Sequence, residues 1–251
     1  MGLTTMTDVS KGKVYLVGAG PGDPGLFTLR GKELMEAADD VVYDNLVNDS
    51  ILNFAPQAEH IFVGKRAGNH SLVQDDINVL LVKLANEGRT VVRLKGGDPT
   101  VFGRIGEELT ALNDADTPYE IVPGVTAGIA GPAYAGIPVT DRKLSSSVTF
   151  ITGREAMESV SQERLSTKGT LVIYMGMKTM DEMVTRLIGC GHASNTPVAV
   201  VQWATRQEQR TITGVLGSIA ERCAEEGIGS PAIIIVGAVV ALREQFKWFE
   251  E

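Results

Sequence analysis

Two ionisable side chains of opposite charge follow short apolar runs in the first third of the sequence. Asp44 stands in VVYDNLV, and Lys65 stands in VGKRAG. Because the carboxyl ends of parallel strands meet at one edge of a sheet, we expect both side chains near that edge. A carboxylate and an ammonium group beside a cleft can accept and donate protons during a reaction. For each residue taken alone, the alternative is a solvated surface position.

The first of three glycine-rich turns, GAGPGDPG at residues 18–25, directly follows an apolar strand pattern. Its spacing matches the glycine pattern of dinucleotide-binding folds, in which Asp44 would take the place of the ribose-binding acid. However, Pro21 and Pro24 lack the backbone N–H groups on which a pyrophosphate cradle depends. Three interpretations remain open: a stiff turn that lets a ligand approach the backbone, a dinucleotide site, and a plain structural turn.

Two further glycine-rich turns follow predicted strands in the same half of the chain. In RLKGGDPTVFGR, residues 93–104, Gly96 and Gly97 permit close ligand approach, and Asp98 offers a carboxylate for a ribose hydroxyl or an ammonium group. In IVPGVTAGIAGPAYAGIP, residues 121–138, a strand leads into a helix rich in glycine and alanine, so that something must pack close to its backbone. Tight packing of that helix on a sheet is an equally good interpretation. Three such turns at one sheet edge nevertheless favour a ligand pocket.

Strand and helix patterns alternate along the whole chain, which is typical of α/β proteins with parallel strands. We predict two α/β domains, residues 13–138 and residues 139–249, with the polar stretch PVTDRKLSSS between their elements. The first sheet is expected to be mostly parallel. Two closely spaced strand patterns around residues 203–208 predict a hairpin, and hence a mixed second sheet. In a two-lobed enzyme of this class the active site is expected in the cleft between the domains.

Apolar periodicity and capping residues give approximate bounds for the individual helices and strands. In the first domain, a helix that begins at Pro24 and is capped by Asp23 follows the first strand, and another covers residues 75–86. Helices are also predicted at residues 180–188 and 215–226. Strands are predicted at residues 13–17, 40–43, 61–63, 91–94, 119–122, 148–152, 170–174, 198–202, 209–213 and 233–236.

The composition is that of an ordinary folded protein with an acidic surface. Of the 251 residues, 43% are apolar and 22% are charged, which excludes intrinsic disorder. A net charge of −8 and a pI near 5.0 argue against a nucleic-acid partner. Local basic side chains could still anchor an anionic small molecule, although scattered surface charge is the alternative. These side chains are Lys65, Arg66, Arg104, Arg142, Lys143 and Arg154.

The sequence predicts neither a metal site nor a membrane segment. Cys190 and Cys223 have no CxxC spacing and are expected to be reduced thiols, and the histidines are scattered. The longest nearly continuous apolar run, residues 231–242, is shorter than the roughly 20 residues that cross a bilayer. The first residues lack the apolar segment of a signal peptide. We therefore expect a cytoplasmic protein.

From Lys13 to Phe249 the sequence resembles the tetrapyrrole methylases. The resemblance rests on segments in a fixed order: VYLVGAGPGDPGLFTLRG, VVYDNLV, VGKRAGNHS, VVRLKGGDPTVFGR, VPGVTAGIAGPAYAGIPVT, LVIYMGM and SPAIIIVGAVV. It implies a homodimeric protein of two α/β domains that uses S-adenosyl-L-methionine. The implied reaction methylates uroporphyrinogen III at C-2 and C-7, giving precorrin-2 by way of precorrin-1. With no residues left for a further domain, we expect methylation alone.

The resemblance also assigns roles to individual residues. Asp44 would be the proton acceptor and Lys65 the proton donor. The substrate-binding candidates are Arg66, Arg104, Arg142 and Arg154. The implied cofactor contacts are Pro21, Gly96, Gly97, Asp98, Val101, Thr126, Ala127, Met175 and Ala204. Ile105 and Ala204 stand where glycine is usual in the family, and we expect these two substitutions to change cofactor affinity only modestly.

Other functions remain open from the sequence. Within the family, the alternative is a later precorrin C-methyltransferase that alkylates another carbon of the macrocycle. Outside it, the first glycine turn is compatible with an NAD-dependent oxidoreductase, and a non-catalytic binder of S-adenosylmethionine or a nucleotide is a third possibility. Whether the product serves siroheme or cobalamin synthesis is left open.

Overall fold

The computed structural model describes residues 11–64, 73–153, 165 and 168–249. The chain divides into two units, Met1–Thr126 and Ala127–Glu251. Each unit contains one five-stranded sheet. The first sheet is parallel and the second is mixed, which confirms the predicted α/β class.

All neighbouring strands of the first sheet run parallel, in the order β3-β2-β4-β1-β5. These strands are β1 (Lys13–Gly18), β2 (Asp40–Tyr43), β3 (Glu59–Phe62), β4 (Thr90–Lys95) and β5 (Tyr119–Val122). Apolar clusters cover both faces, which explains why the central strands are rich in valine and leucine. Since every strand points the same way, the segments that follow the strands all lie at one edge of the sheet, which we call the carboxyl edge.

In the part of the first unit that the structure describes, three α-helices accompany this sheet: α1 (Leu29–Glu36), α2 (Gln74–Asn86) and α3 (Ile105–Asp114). The first helix begins later than predicted. Asp23 does act as a cap, but of a short 3₁₀ helix at Pro24–Leu26, after which the backbone is extended at Phe27. Thr28 then caps α1 by accepting a hydrogen bond from the N–H of Gly31 at 3.0 Å. Because two successive side chains act as caps, a 3₁₀ helix and α1 form where the sequence pattern predicted one helix.

The second sheet has the order β6-β7-β10-β8-β9. Its strands are β6 (Val148–Thr152), β7 (Thr170–Tyr174), β8 (Pro197–Gln202), β9 (Arg210–Val215) and β10 (Ala232–Val236). Strands β6 and β7 are parallel, whereas β10 runs antiparallel to both β7 and β8. Strands β8 and β9 form the predicted hairpin.

The α-helices among the described residues of the second unit are α4 (Ala127–Tyr134), α5 (Met180–Gly189), α6 (Ile219–Glu225) and α7 (Arg243–Phe246). Helix α4 packs against β7 and β10, which explains why the chain divides before this helix. The domain boundary predicted after Pro138 therefore falls inside the second unit. Helix α6 begins later than predicted because β9 continues to Val215.

Over the part of the chain that the structure describes, no helix has both the length and the apolar character needed to cross a membrane.

The two cysteines are free and differ in exposure, which predicts different reactivity. Burial raises the pKa of the Cys223 thiol, whereas Cys190 is partly exposed. Because the thiolate is the reactive form, a disulfide reagent such as DTNB should modify Cys190 in the native protein and both thiols after denaturation. Fast modification of both thiols in the native protein would contradict this assignment.

Candidate active site

The first two glycine-rich turns join at the carboxyl edge of the first sheet. The N–H of Gly20 donates to the carbonyl of Gly97 at 3.1 Å, and the N–H of Gly97 donates to the carbonyl of Gly20 at 2.7 Å. The N–H of Ala19 also donates to the carbonyl of Lys95 at 2.7 Å. The turns after β1 and β4 therefore form one hydrogen-bonded unit.

The third turn lies against the other two so closely that a side chain is sterically excluded. A Cβ atom on Gly18 would lie 2.6 Å from both the nitrogen of Gly124 and the carbonyl oxygen of Gly97. A Cβ atom on Gly124 would lie 2.3 Å from the same carbonyl oxygen. Since these neighbours are backbone atoms, glycine is required by close backbone approach at both positions.

Asp98 fastens the third turn to the second. Its Oδ2 atom accepts a hydrogen bond from the N–H of Gly124 at 2.9 Å, and its Oδ1 atom accepts one from the N–H of Thr100 at 2.8 Å. The sequence predicted that this carboxylate would bind a ligand. The structure shows a further use, because Asp98 holds together the backbone from which the proposed pocket is built.

Removing this carboxylate should loosen the junction of the turns. Asp98→Ala leaves the N–H of Gly124 without its partner, a loss of about 1–3 kcal/mol in the free energy of unfolding. Asp98→Asn retains one acceptor oxygen and should fall between wild type and Asp98→Ala. Denaturant unfolding measures the free energy of unfolding of the three proteins. Equal values for all three would show that Asp98 does not stabilise the junction of the turns.

Asp44 follows β2 at the same edge, and its carboxylate is oriented from two sides. Its Oδ1 atom accepts a hydrogen bond from the N–H of Leu46 at 3.1 Å. Its Oδ2 atom lies 3.5 Å from Nη2 of Arg93, which comes from the neighbouring strand β4. The side chain is about one quarter exposed. A partly accessible carboxylate with a fixed orientation is suited to accept a proton.

A buried cluster of charged side chains lies behind Asp44. Arg93 and Lys95, two residues apart on β4, both contact Glu108 of α3. The Glu108 side chain has no exposed surface, and those of Arg93 and Lys95 are 4% and 5% exposed. Burial and the nearby guanidinium of Arg93 lower the pKa of Lys95, whereas Glu108 opposes that shift.

This cluster was not predicted from the sequence, although the positions of its charged residues indicate it. Arg93 and Lys95 alternate with Leu94, so both face the same side of a buried strand. Glu108 precedes Leu112 by one helical turn and thus occupies the apolar side of α3. Charged residues at core positions on two adjacent elements predict a buried ion pair.

In the second unit, Met175 and Ala204 lie at one edge of the sheet. Met175 follows β7, and Ala204 follows β8 after one residue. Because β10 is antiparallel to both strands, β7 and β8 run in the same direction and end at the same edge.

Backbone strain marks both of these positions. Met175 has φ +56°, and the two neighbours of Ala204, Trp203 and Thr205, have φ +48° and +68°. Non-glycine residues in the left-handed region are uncommon, and they cluster at functional sites. No sequence pattern predicts this strain.

Helix α4 contacts β7, which precedes Met175, and also lies against Ala204. The hydroxyl of Tyr174 accepts a hydrogen bond from the N–H of Gly128 at 2.9 Å, beside Ala127. A Cβ atom on Gly131 would lie 3.2 Å from the Cβ of Ala204. The Ala204 methyl group therefore packs against α4.

Of the predicted substrate-binding arginines, the structure describes Arg104 in the first unit and Arg142 in the second. Arg104 has a left-handed backbone and pairs with Glu107 at 2.6 Å on an exposed surface. Arg142 precedes β6 and therefore lies at the edge of the second sheet opposite Met175. Lys65, Arg66 and Arg154 lie outside the described residues.

Comparison with known proteins gives the family. Residues 13–220 match the model of the Tetrapyrrole (Corrin/Porphyrin) Methylases. The chain belongs to this family. Uroporphyrinogen-III C-methyltransferase of Bacillus subtilis is 44% identical over 244 residues, which cover 95% of this chain and 95% of that protein. Siroheme synthase of Chromobacterium violaceum is 47% identical over 242 residues, 95% of this chain but 52% of that protein. The chain thus spans about half the length of some relatives that it matches.

A solved structure agrees with the fold of this tetrapyrrole methylase. Uroporphyrin-III C-methyl transferase of Thermus thermophilus, crystallised with S-adenyl homocysteine, has a TM-score of 0.79 and 37% sequence identity. The match covers 92% of this chain and 100% of that chain. The family resemblance inferred from the sequence motifs is therefore confirmed.

Proposed function

We propose that the protein transfers methyl groups from S-adenosyl-L-methionine to C-2 and C-7 of uroporphyrinogen III and forms precorrin-2 by way of precorrin-1. The name of the Bacillus relative, which is covered over 95% of its length, supports this reaction. The S-adenyl homocysteine in the Thermus structure supports the cofactor. Within this chain, the observation that carries the proposal is the junction of three glycine-rich turns beside the oriented carboxylate of Asp44.

The residues at the junction carry little side-chain bulk, which allows a ligand to approach the backbone. Pro21 follows Gly20, which pairs with Gly97. Gly96 and Gly97 add no side-chain bulk. Asp98 holds the N–H of Gly124 in the turn that leads to Thr126. When bound, S-adenosylmethionine supplies an electrophilic methyl group on a sulfonium. We propose that these residues hold it, together with Val101, and that Ala127, Met175 and Ala204 of the second unit also contact it.

The remaining chemistry falls to the substrate and to acid–base groups. A pyrrole carbon of a porphyrinogen is electron-rich and acts as the nucleophile, so neither a metal nor a covalent enzyme nucleophile is required. Methyl transfer leaves a positive charge on the alkylated macrocycle, and loss of a proton neutralises it; we assign acceptance of this proton to the carboxylate of Asp44. Lys65 is our proposed proton donor.

Several parts of the proposal come from the family resemblance. These are homodimer formation and the roles of Arg66, Arg104, Arg142 and Arg154 in anchoring substrate carboxylates. Arg104 would have to exchange its partner Glu107 for a substrate carboxylate.

The cofactor can be tested separately from the substrate. We expect S-adenosylhomocysteine to raise the melting temperature of the protein and NADH to leave it unchanged, because ligand binding stabilises the native state by mass action. A shift with NADH alone would favour the oxidoreductase alternative. Isothermal calorimetry then gives the dissociation constant of S-adenosylhomocysteine for the wild-type protein, which is the reference for all variants.

The substrate is tested by transfer of labelled methyl groups. Under anaerobic conditions, we expect label from S-adenosylmethionine in uroporphyrinogen III, and much less in a porphyrinogen with fewer carboxylates. Label in neither, with cofactor binding established and a known enzyme active on the same preparation, would favour a later precorrin methylase or a non-catalytic binder.

A further inference from the structure

The buried cluster behind Asp44 ends at a carboxylate with no proposed part in the reaction. Glu108 accepts hydrogen bonds from Nε of Arg93 at 3.0 Å and from Nζ of Lys95 at 2.7 Å. The same guanidinium faces Asp44 at 3.5 Å. Glu108 is therefore separated from the proposed proton acceptor by one rigid side chain.

We propose that Glu108 is a positioning residue for methyl transfer, which acts through Arg93 on the orientation of the Asp44 carboxylate. This inference rests on the proposed function, because it assumes that Asp44 accepts the proton. Glu108 is fully buried and makes no direct contact with the site in our proposal.

The hydrogen bonds of Arg93 leave its guanidinium with one orientation. Nε donates to Glu108, while Nη1 donates to the carbonyls of Leu94 at 3.1 Å and Val42 at 3.4 Å. Because the guanidinium is planar and rigid, these bonds fix the direction of Nη2, which faces Asp44. Glu108 is the charged partner among the three acceptors and so makes the largest contribution to that orientation.

Stability alone does not account for this arrangement. A buried ion cluster is often no more stable than apolar side chains of similar volume, because removing the charges from water is costly. Leu112, one turn further along α3, shows that this face of the helix accommodates apolar side chains. Two cations and one anion are buried at Glu108, and Asp44 supplies the second negative charge at the edge.

A double-mutant cycle between Glu108→Gln and Asp44→Asn tests the proposal. If Glu108 acts through Asp44, Glu108→Gln should lower kcat by about tenfold or more in the wild-type background. In the Asp44→Asn background, the same substitution should change kcat by less than about twofold. The dissociation constant of S-adenosylhomocysteine should remain within about threefold of wild type in all variants that fold.

Two further variants control for damage to the fold. Glu120→Gln makes the same chemical change at a surface ion pair with Lys13 and Arg30, and should leave kcat unchanged. If Glu108→Gln does not fold, Glu108→Asp replaces it in the cycle, because it keeps the charge while withdrawing the carboxylate from Arg93.

The outcomes separate the two proposals. A loss of kcat that disappears in the Asp44→Asn background supports the positioning role. An equal loss in both backgrounds, or no loss in a folded variant, overturns it while leaving the proposed function intact. A wild-type protein that binds cofactor but transfers no methyl group to uroporphyrinogen III overturns the proposed function, and the role of Glu108 with it.

Discussion

Replacing Asp44 by alanine is expected to lower kcat by about a hundredfold or more, while S-adenosylhomocysteine binds with nearly unchanged affinity. The side chain lies at the carboxyl edge, and its oxygens face the N–H of Leu46 and the guanidinium of Arg93. Among the described residues, the Asp44 carboxylate contacts Leu46 and Arg93 but none of the glycines that join the three turns. Loss of the carboxylate should therefore slow proton removal without changing the cofactor-binding backbone.

Rate assays and calorimetry on the same preparation measure the two effects separately. Asp44→Asn keeps the size of the side chain and should lose nearly as much activity as alanine. Asp114→Asn, at the exposed end of α3, is the matched control and should behave as wild type. Equal losses of kcat and of cofactor affinity in Asp44→Ala would argue against a role in proton transfer.

An alanine at Gly124 is expected to weaken S-adenosylhomocysteine binding by about tenfold or more and to lower the melting temperature. The new methyl group would lie 2.3 Å from the carbonyl oxygen of Gly97 and 2.8 Å from the Cα of Gly18. The turns must separate to make room, at a cost of about 1–3 kcal/mol typical of overpacking. The proposed cofactor pocket is built from these same turns.

Gly106→Ala is a matched control in the same unit. A Cβ atom on Gly106 meets nothing within 4 Å, and alanine in the first turn of α3 favours the helix by less than the roughly 1 kcal/mol of a helix interior. The two substitutions should thus shift the melting temperature in opposite directions, as a thermal denaturation series will show. If Gly124→Ala matches wild type in both stability and affinity, the close contact of the turns is not needed for binding.

The strands of both sheets were predictable because the local sequence shows their apolar runs. Strands β2, β5, β6 and β7 have the predicted ends, because polar, glycine or proline residues bound most of these apolar runs. The start of α1 was predicted wrongly, because Asp23 and Thr28 are both good caps and the pattern does not show that the chain is extended between them. Local sequence gives elements more reliably than their junctions.

The glycine-rich turns were located correctly, but their mutual contacts were not predicted. The pairing of Gly20 with Gly97 and the bond from Gly124 to Asp98 join residues that are far apart in sequence. Such contacts depend on strand order, which places β1 between β4 and β5. Without that order, three turns after three strands indicate a shared edge but not which backbone atoms meet.

The buried charges were harder to predict because each of them is common at a surface. The fold brings β4 and α3 together, so that Arg93 and Lys95 form ion pairs with Glu108. Arg142 remains a proposed substrate anchor, but its position across the sheet from Met175 could not be predicted from its charge. Charge in a sequence indicates chemistry only when the fold fixes where the side chain lies.

The mass of the product is the most direct test of methyl transfer to uroporphyrinogen III. Purified protein is incubated anaerobically with enzymatically generated uroporphyrinogen III and S-adenosylmethionine, and the macrocycle is analysed by mass spectrometry over time. We expect an intermediate with one added methyl group, followed by a product with two, and NMR should place them at C-2 and C-7. A macrocycle that gains no methyl group, from protein shown to bind S-adenosylhomocysteine, would contradict the proposed function.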